Sequence, residues 1–188
     1  AKSVLFITKL KAIPSVKSDY IALQPSFKLE VVNFESSHKV TGIFDLVIID
    51  EAHSLGAYPK PSKRTLSIKA LCTGLPVLFL SGTPSPESYS QLYHQFWVCS
   101  KSPWKSYKSF YKWAKEYVYT RQKKVNGSLI NDYSCANKPK IDNDTKNLFI
   151  SYSQEQAGFE VNINEHILQV QMKNRTGEYI RRLQRGFL

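Results

Sequence analysis

Four short and almost unbroken apolar runs constrain this chain more than any other feature: residues 4–8 (VLFIT), 29–32 (LEVV), 46–49 (LVII) and 77–80 (VLFL). Runs this short, with little polar alternation, are the pattern of strands covered on both faces, as in a parallel sheet. Parallel strands need crossovers, and the intervening segments supply them. Residues 9–18, the weaker 34–40 and 63–71 read as helical, with Leu66, Ile68, Ala70 and Leu71 expected to form the inner face of the last. The expectation is an α/β domain with a mainly parallel sheet and helices on both sides, joined by right-handed crossovers.

In such sheets ligands bind beyond the carboxyl ends of the strands. The residues that follow each apolar run are Thr8-Lys9, Asn33, Asp50-Glu51 and Ser81-Gly82-Thr83.

The second half of the chain has a different texture. Residues 86–119 are aromatic and basic, with Trp104, Tyr107, Phe110, Tyr111, Trp113 and Tyr117 recurring near helical spacing and Pro103 separating two expected helices. Such a stripe is a packing face more often than a base-stacking platform. Residues 120–147 are polar and without clear periodicity, and read as an irregular excursion. Residues 148–152 and 166–172 read as two further strands, and 176–185 as a short basic helix or linker.

Lys and Arg number 26 against 15 Asp and Glu, a formal charge of +11, which favours a polyanionic partner through counterion release. A merely solvated basic surface explains the charge equally well, so the motifs have to decide. The three cysteines, Cys72, Cys99 and Cys135, are widely spaced and lack a CxxC pair, which argues against a disulfide framework or zinc ribbon. His38, His94 and His166 have no metal-ligand spacing and receive no chemistry. No apolar run nears the roughly 20 residues of a membrane span, so an intracellular location and no membrane partner are expected.

Asp50-Glu51-Ala52-His53 directly follows the run FDLVII, placing two carboxylates at the sheet edge. Adjacent acids suit nucleoside triphosphate hydrolysis, one holding Mg²⁺ through water and the next orienting or deprotonating the attacking water. A DE pair also serves as a plain helix cap. Thirty-one positions beyond Asp50, Ser81-Gly82-Thr83-Pro84 again follows a strand-like run directly.

Asp50–His53 followed by a strand and SGTP resembles motifs II and III of superfamily 2 DEAH-type helicases and DNA translocases, especially the remodeller-like branch and related phage helicases. VLFITKLKAI resembles motif Ia, and LEVVNFESS resembles the motif Ib region; together the likeness covers residues 1–100. The resemblance implies a RecA-like three-layer sandwich, the first motor lobe, over residues 1–172, with a basic aromatic insertion at about 100–147 and a linker at 173–188. It implies Asp50 for Mg²⁺ held through water, Glu51 for water activation, and His53 for the link to motif III. Ser81, Gly82 and Thr83 would couple hydrolysis to nucleic acid, and Thr8, Lys9, Lys11 and Asn33 would line the track of its backbone. The implied cofactors are ATP and Mg²⁺, and the implied partner is DNA rather than RNA.

The chain departs from the family in one respect. Its eight glycines are never followed by Lys-Ser or Lys-Thr, so the P-loop that cradles triphosphate is not present. In the family that loop precedes the motif Ia strand and a second lobe follows the linker, so both are expected in a longer parent, and the isolated chain is expected not to turn over ATP. Two other readings stand beside the motor. One is a non-catalytic nucleic-acid-binding module with a relic DEAH motif; the other is a metal-dependent nuclease using Asp45, Asp50 and Glu51.

Overall fold

A computed structural model describes residues 1–152 together with Gln156 and Gly158. The chain divides into a compact unit, Ala1–Phe149, and a second, Ile150–Leu188, most of which lies outside the described residues. The expected strand at 166–172 and the basic segment at 176–185 therefore fall outside the description, as does most of the stretch between Phe149 and the expected lobe boundary at 172.

The first unit is α/β. Strands β1 (Ser3–Thr8), β2 (Lys28–Asn33), β3 (Leu46–Ile49) and β4 (Val77–Phe79) form a four-stranded parallel sheet in the order β2-β1-β3-β4. Helix α1 (Ile13–Leu23) joins β1 to β2, and α2 (Lys63–Leu71) joins β3 to β4. The first crossover moves one way along the sheet and the last moves the other, so right-handed connections put α1 and α2 on opposite faces.

The α2 face carries the aliphatic core. Leu5 and Ile7 pair in register with Val47 and Ile49, and these with Val77 and Phe79. Ile68 and Cys72 pack on them from α2, and Phe34 and Phe44 from the β2–β3 connection. The opposite face is thinly covered: α1 buries no residue, and Leu78 and Leu80 stay 47% and 39% exposed. The expectation of two fully covered faces therefore fails on this side.

Helix α2 has the expected bounds, but its inner face is Thr65 and Ile68, continued by Cys72, rather than Leu66 and Ala70, which are exposed. Ser62 caps the helix by accepting from Thr65 N, so the helix start fixes which residues turn inward. The weak 34–40 segment yields only a 3-10 turn, Ser37–Lys39.

Beyond β4 the chain builds a second core. Helices α3 (Gln91–Trp97) and α4 (Phe110–Tyr117), separated as Pro103 suggested, enclose Tyr93, Trp104, Phe110, Trp113 and Tyr117, with Leu92 and Ile141. The aromatic stripe is therefore core, except for Tyr111, which is 44% exposed.

The irregular excursion expected at 120–147 is in fact ordered. It holds an antiparallel hairpin, β5 (Arg121–Val125) and β6 (Ser128–Asp132), and a helix, α5 (Lys138–Thr145). Asn126 and Gly127 both have positive φ, 48° and 81°, the two-residue turn that matches strand twist. Residues 148–152, expected as a strand, carry no strand. Trp104 Nε1 and Tyr117 Oη both donate to Asp144 Oδ2, at 3.1 and 2.6 Å, tying α5 to the aromatic core.

Candidate functional site

Strands β1 and β3 are neighbours whose outgoing connections leave toward opposite faces of the sheet, and this is where a crevice opens in a parallel α/β sheet. Six polar side chains from three strand ends meet there.

The β1 end supplies Thr8 and Lys9. Thr8 is fully buried, and its hydroxyl donates to Asp50 Oδ2 at 2.7 Å. Lys9 Nζ pairs with Glu51 Oε1 at 3.1 Å. The β3 end supplies the acids. Asp50 N continues the β1–β3 ladder by donating to Ile7 O at 2.8 Å, and Asp50 Oδ1 accepts from Glu51 N at 2.9 Å. Both carboxylate oxygens of Asp50 are therefore oriented from within the protein.

Glu51 has φ 51° and ψ 44°, a left-handed conformation that is uncommon for a residue with a side chain. It turns the chain off the strand into the 3-10 turn Ala52–Leu55, whose start is held when Ala52 N donates to Leu80 O at 3.0 Å. That bond ties the acidic turn to the residue just before Ser81. His53 Nδ1 then stands 3.1 Å from Ser81 Oγ and 3.2 Å from Glu51 Oε2. Nδ1 is hydrogen-bonded with the Ser81 hydroxyl and lies beside Glu51 Oε2, linking the acid pair to the turn after β4.

Of the ten residues singled out from the sequence, Thr8, Lys9, Asp50, Glu51, His53 and Ser81 form one connected cluster. Gly82 and Thr83 are exposed beside it in sequence, with no hydrogen bond into the cluster among the described residues. Lys11 is exposed in the 3-10 turn Leu10–Ala12. Asn33 ends β2, and its Oδ1 accepts from Ser36 N at 2.9 Å, so its carbonyl oxygen closes a local turn.

One assignment changes. Thr8 does not line a surface track for nucleic acid, because it is buried and its hydroxyl is spent on Asp50. Lys9 is exposed as expected but is turned to Glu51. The nuclease grouping also fails: Asp45 precedes β3 at the opposite end of the sheet, where Oδ2 accepts from Lys2 N and Ser3 N at 2.6 and 3.0 Å. These two backbone donors hold its carboxyl below the usual carboxylate range.

The acid pair fits one kind of magnesium site. Mg²⁺ is commonly held through water by one or two carboxylates, with phosphates supplying the other oxygens. Asp50, preset by Thr8, suits that role. An all-protein cage is absent among the described residues, where no group of three His, Cys, Asp or Glu side chains is placed to hold a metal ion. The sequence has no glycine-rich phosphate cradle to complete the site.

Other polar features lie apart from this crevice. An open cavity of about 400 Å³, lined by Gly56, Tyr58, Gln91, Lys123, Asp132 and Tyr133, reaches neither Asp50 nor Glu51. His94 is buried in the aromatic core, its Nδ1 2.6 Å from Ala57 O, and burial pushes it down to about 4. The hairpin puts Arg121, Lys123 and Lys124 on one exposed strand, a cluster the sequence reading missed. The two-residue Asn126-Gly127 turn was the signal for it.

No family model, curated protein or solved structure matches the chain. No helix of the described residues is long and apolar enough to cross a membrane.

Proposed function

We propose that this chain is part of an ATP-dependent helicase or translocase motor acting on DNA, contributing most of a first RecA-like lobe. The observation that carries the reading is the connected cluster at the β1–β3 crevice. It joins a buried-hydroxyl-oriented Asp50, the adjacent Glu51 and, through His53, Ser81 on the next strand end.

In this reading Asp50 holds its carboxylate fixed toward the crevice, restrained by Thr8 and by the Glu51 amide. Mg²⁺, when bound with ATP, would neutralise phosphate charge there. Glu51 orients a water and accepts its proton. His53 senses the state of Glu51 and passes it to Ser81, where small displacements of the turn 81–83 would be felt by a bound strand. The phosphate cradle this chemistry needs is not among the chain's residues, so the chain by itself is expected to be inactive.

The test is DNA-stimulated ATP hydrolysis by a longer protein that adds a phosphate-binding loop ahead of β1 and a second lobe after residue 188. Glu51→Gln, which keeps size and hydrogen bonding, should lower the stimulated rate by about 10²–10⁴-fold, the scale of general-base catalysis. A wild type inert with every nucleic acid would instead favour a binding module with a relic acid pair. The specific support for that second reading is the basic surface: Arg121, Lys124, Lys112 and Lys115 make no ion pair among the described residues.

A further inference from the structure

We infer that Lys9 is a positioning residue that keeps Glu51 engaged until a phosphate of the nucleic-acid backbone draws the ammonium away. This rests on the motor reading above and names how its nucleic-acid partner would act on its hydrolytic carboxylate.

Glu51 has two carboxylate oxygens, and both have a nitrogen beside them: Lys9 Nζ donates to Oε1 at 3.1 Å, and His53 Nδ1 lies 3.2 Å from Oε2. A carboxylate so engaged has its best acceptor positions filled and is poorly placed to take a proton from water. The two contacts differ in how easily they yield. His53 is also held by Ser81, and its side chain is 27% exposed. The Lys9 side chain is 59% exposed and reaches Glu51 from the next strand, so a solvent-borne anion meets the ammonium without any backbone movement.

Exposed ion pairs are weak, so a phosphate that also gains contacts elsewhere on the basic surface competes well for this lysine. When Lys9 turns to phosphate, Oε1 becomes available to water while His53, held by Ser81, stays beside the other oxygen. Hydrolysis is thereby restrained without nucleic acid and permitted with it.

Coupling of this kind is reciprocal. If Glu51 holds Lys9 back from phosphate, removing the Glu51 charge must strengthen nucleic-acid binding, and must do so only where Lys9 is present. This consequence is measurable on the 188-residue chain itself, without ATP turnover.

The experiment measures Kd for a fluorescent single-stranded oligonucleotide at one fixed, low salt concentration, for wild type, Glu51→Gln, Lys9→Ala, Lys9→Arg and the double variant Lys9→Ala/Glu51→Gln. Asp19→Asn serves as a control for loss of one negative charge, and circular dichroism checks that each variant folds. Glu51→Gln is expected to tighten binding about two- to fivefold, the range an exposed pair supports. Asp19→Asn should tighten it less, Lys9→Ala should weaken it, the double variant should match Lys9→Ala, and Lys9→Arg should bind like wild type. Equal tightening by Glu51→Gln with and without Lys9 would reduce the effect to bulk charge and overturn the inference while leaving the motor reading standing. Binding unchanged by Glu51→Gln would overturn it likewise. Failure of every variant to bind would remove the nucleic-acid reading and this inference with it.

Discussion

The two cores of the first unit solve the same problem with different materials. Beneath the parallel sheet, Leu5, Ile7, Val47, Ile49 and Ile68 pack as aliphatic side chains without a buried charge, and polar chemistry is confined to the strand ends. In the region after β4 the core is aromatic and threaded with polar groups. Trp113 stacks on Tyr117 with centroids 5.0 Å apart and planes 4° apart, His94 stacks on Phe110, and Asp144 accepts from two rings at once. An aliphatic core tolerates its ligand site at a rim; an aromatic core has to satisfy the indole and phenol donors it buries, which Asp144 does for Trp104 and Tyr117, while Trp113 Nε1 is buried without a hydrogen-bond partner among the described residues. The two are stitched by Lys69, whose Nζ lies 3.9 Å over the Trp97 ring and donates to Trp97 O at 2.6 Å, its pKa lowered by burial.

Deleting the central ring should break the comparison most severely. Trp113→Ala is expected to cost about 3–5 kcal/mol in urea unfolding, against about 1 kcal/mol for Ile68→Val under the sheet. A single transition in both variants would show that the two cores are one cooperative unit. Loss of the aromatic near-ultraviolet signal with the sheet still folded would show that they unfold separately.

Removing the shared acceptor comes next. Asp144→Ala leaves the Trp104 indole and the Tyr117 hydroxyl without that carboxylate, and should cost about 2–4 kcal/mol. Asp144→Asn, which keeps one oxygen, should lose less. Equal losses in the two variants would assign the effect to charge and not to the pair of donors.

Acid should sharpen the contrast by a smaller amount. His94 is held neutral, with its folded value near 4 against an ordinary 6.5. The unfolded chain takes up this proton first, so His94's contribution is complete above about 6.5 and fades as pH falls toward 4, by at most about 3 kcal/mol. The melting temperature should fall across that window in wild type and fall less steeply in His94→Gln. An unchanged slope would place the acid sensitivity on other groups.

What the sequence disclosed divides along the same line. Strands β1 and β3 were legible because their runs are apolar and end in residues too polar for a core. Asp50, Glu51 and Ser81 could be placed at one edge from that ending alone. Which of these side chains touch was not legible, because contact across a parallel sheet depends on register. Thr8 meets Asp50 only because Ile7 pairs with Ile49. The inner face of α2 was misjudged since hydrophobicity favoured Leu66, whereas the Ser62 cap and the turn toward the sheet bury Thr65. The hairpin was missed because its strands, fully exposed but for Asp132, carry no apolar alternation; the turn chemistry of Asn126 and Gly127 was the only local mark of it.

The left-handed backbone at Glu51 bears on how such a chain would drift over generations. A glycine or asparagine sits there with less strain than a glutamate. Variants enriched for folding alone should therefore collect Gly or Asn at position 51, whereas variants enriched for hydrolysis in the longer protein should keep Glu. The identity that survives under each regime would record whether the acid pair is still in use.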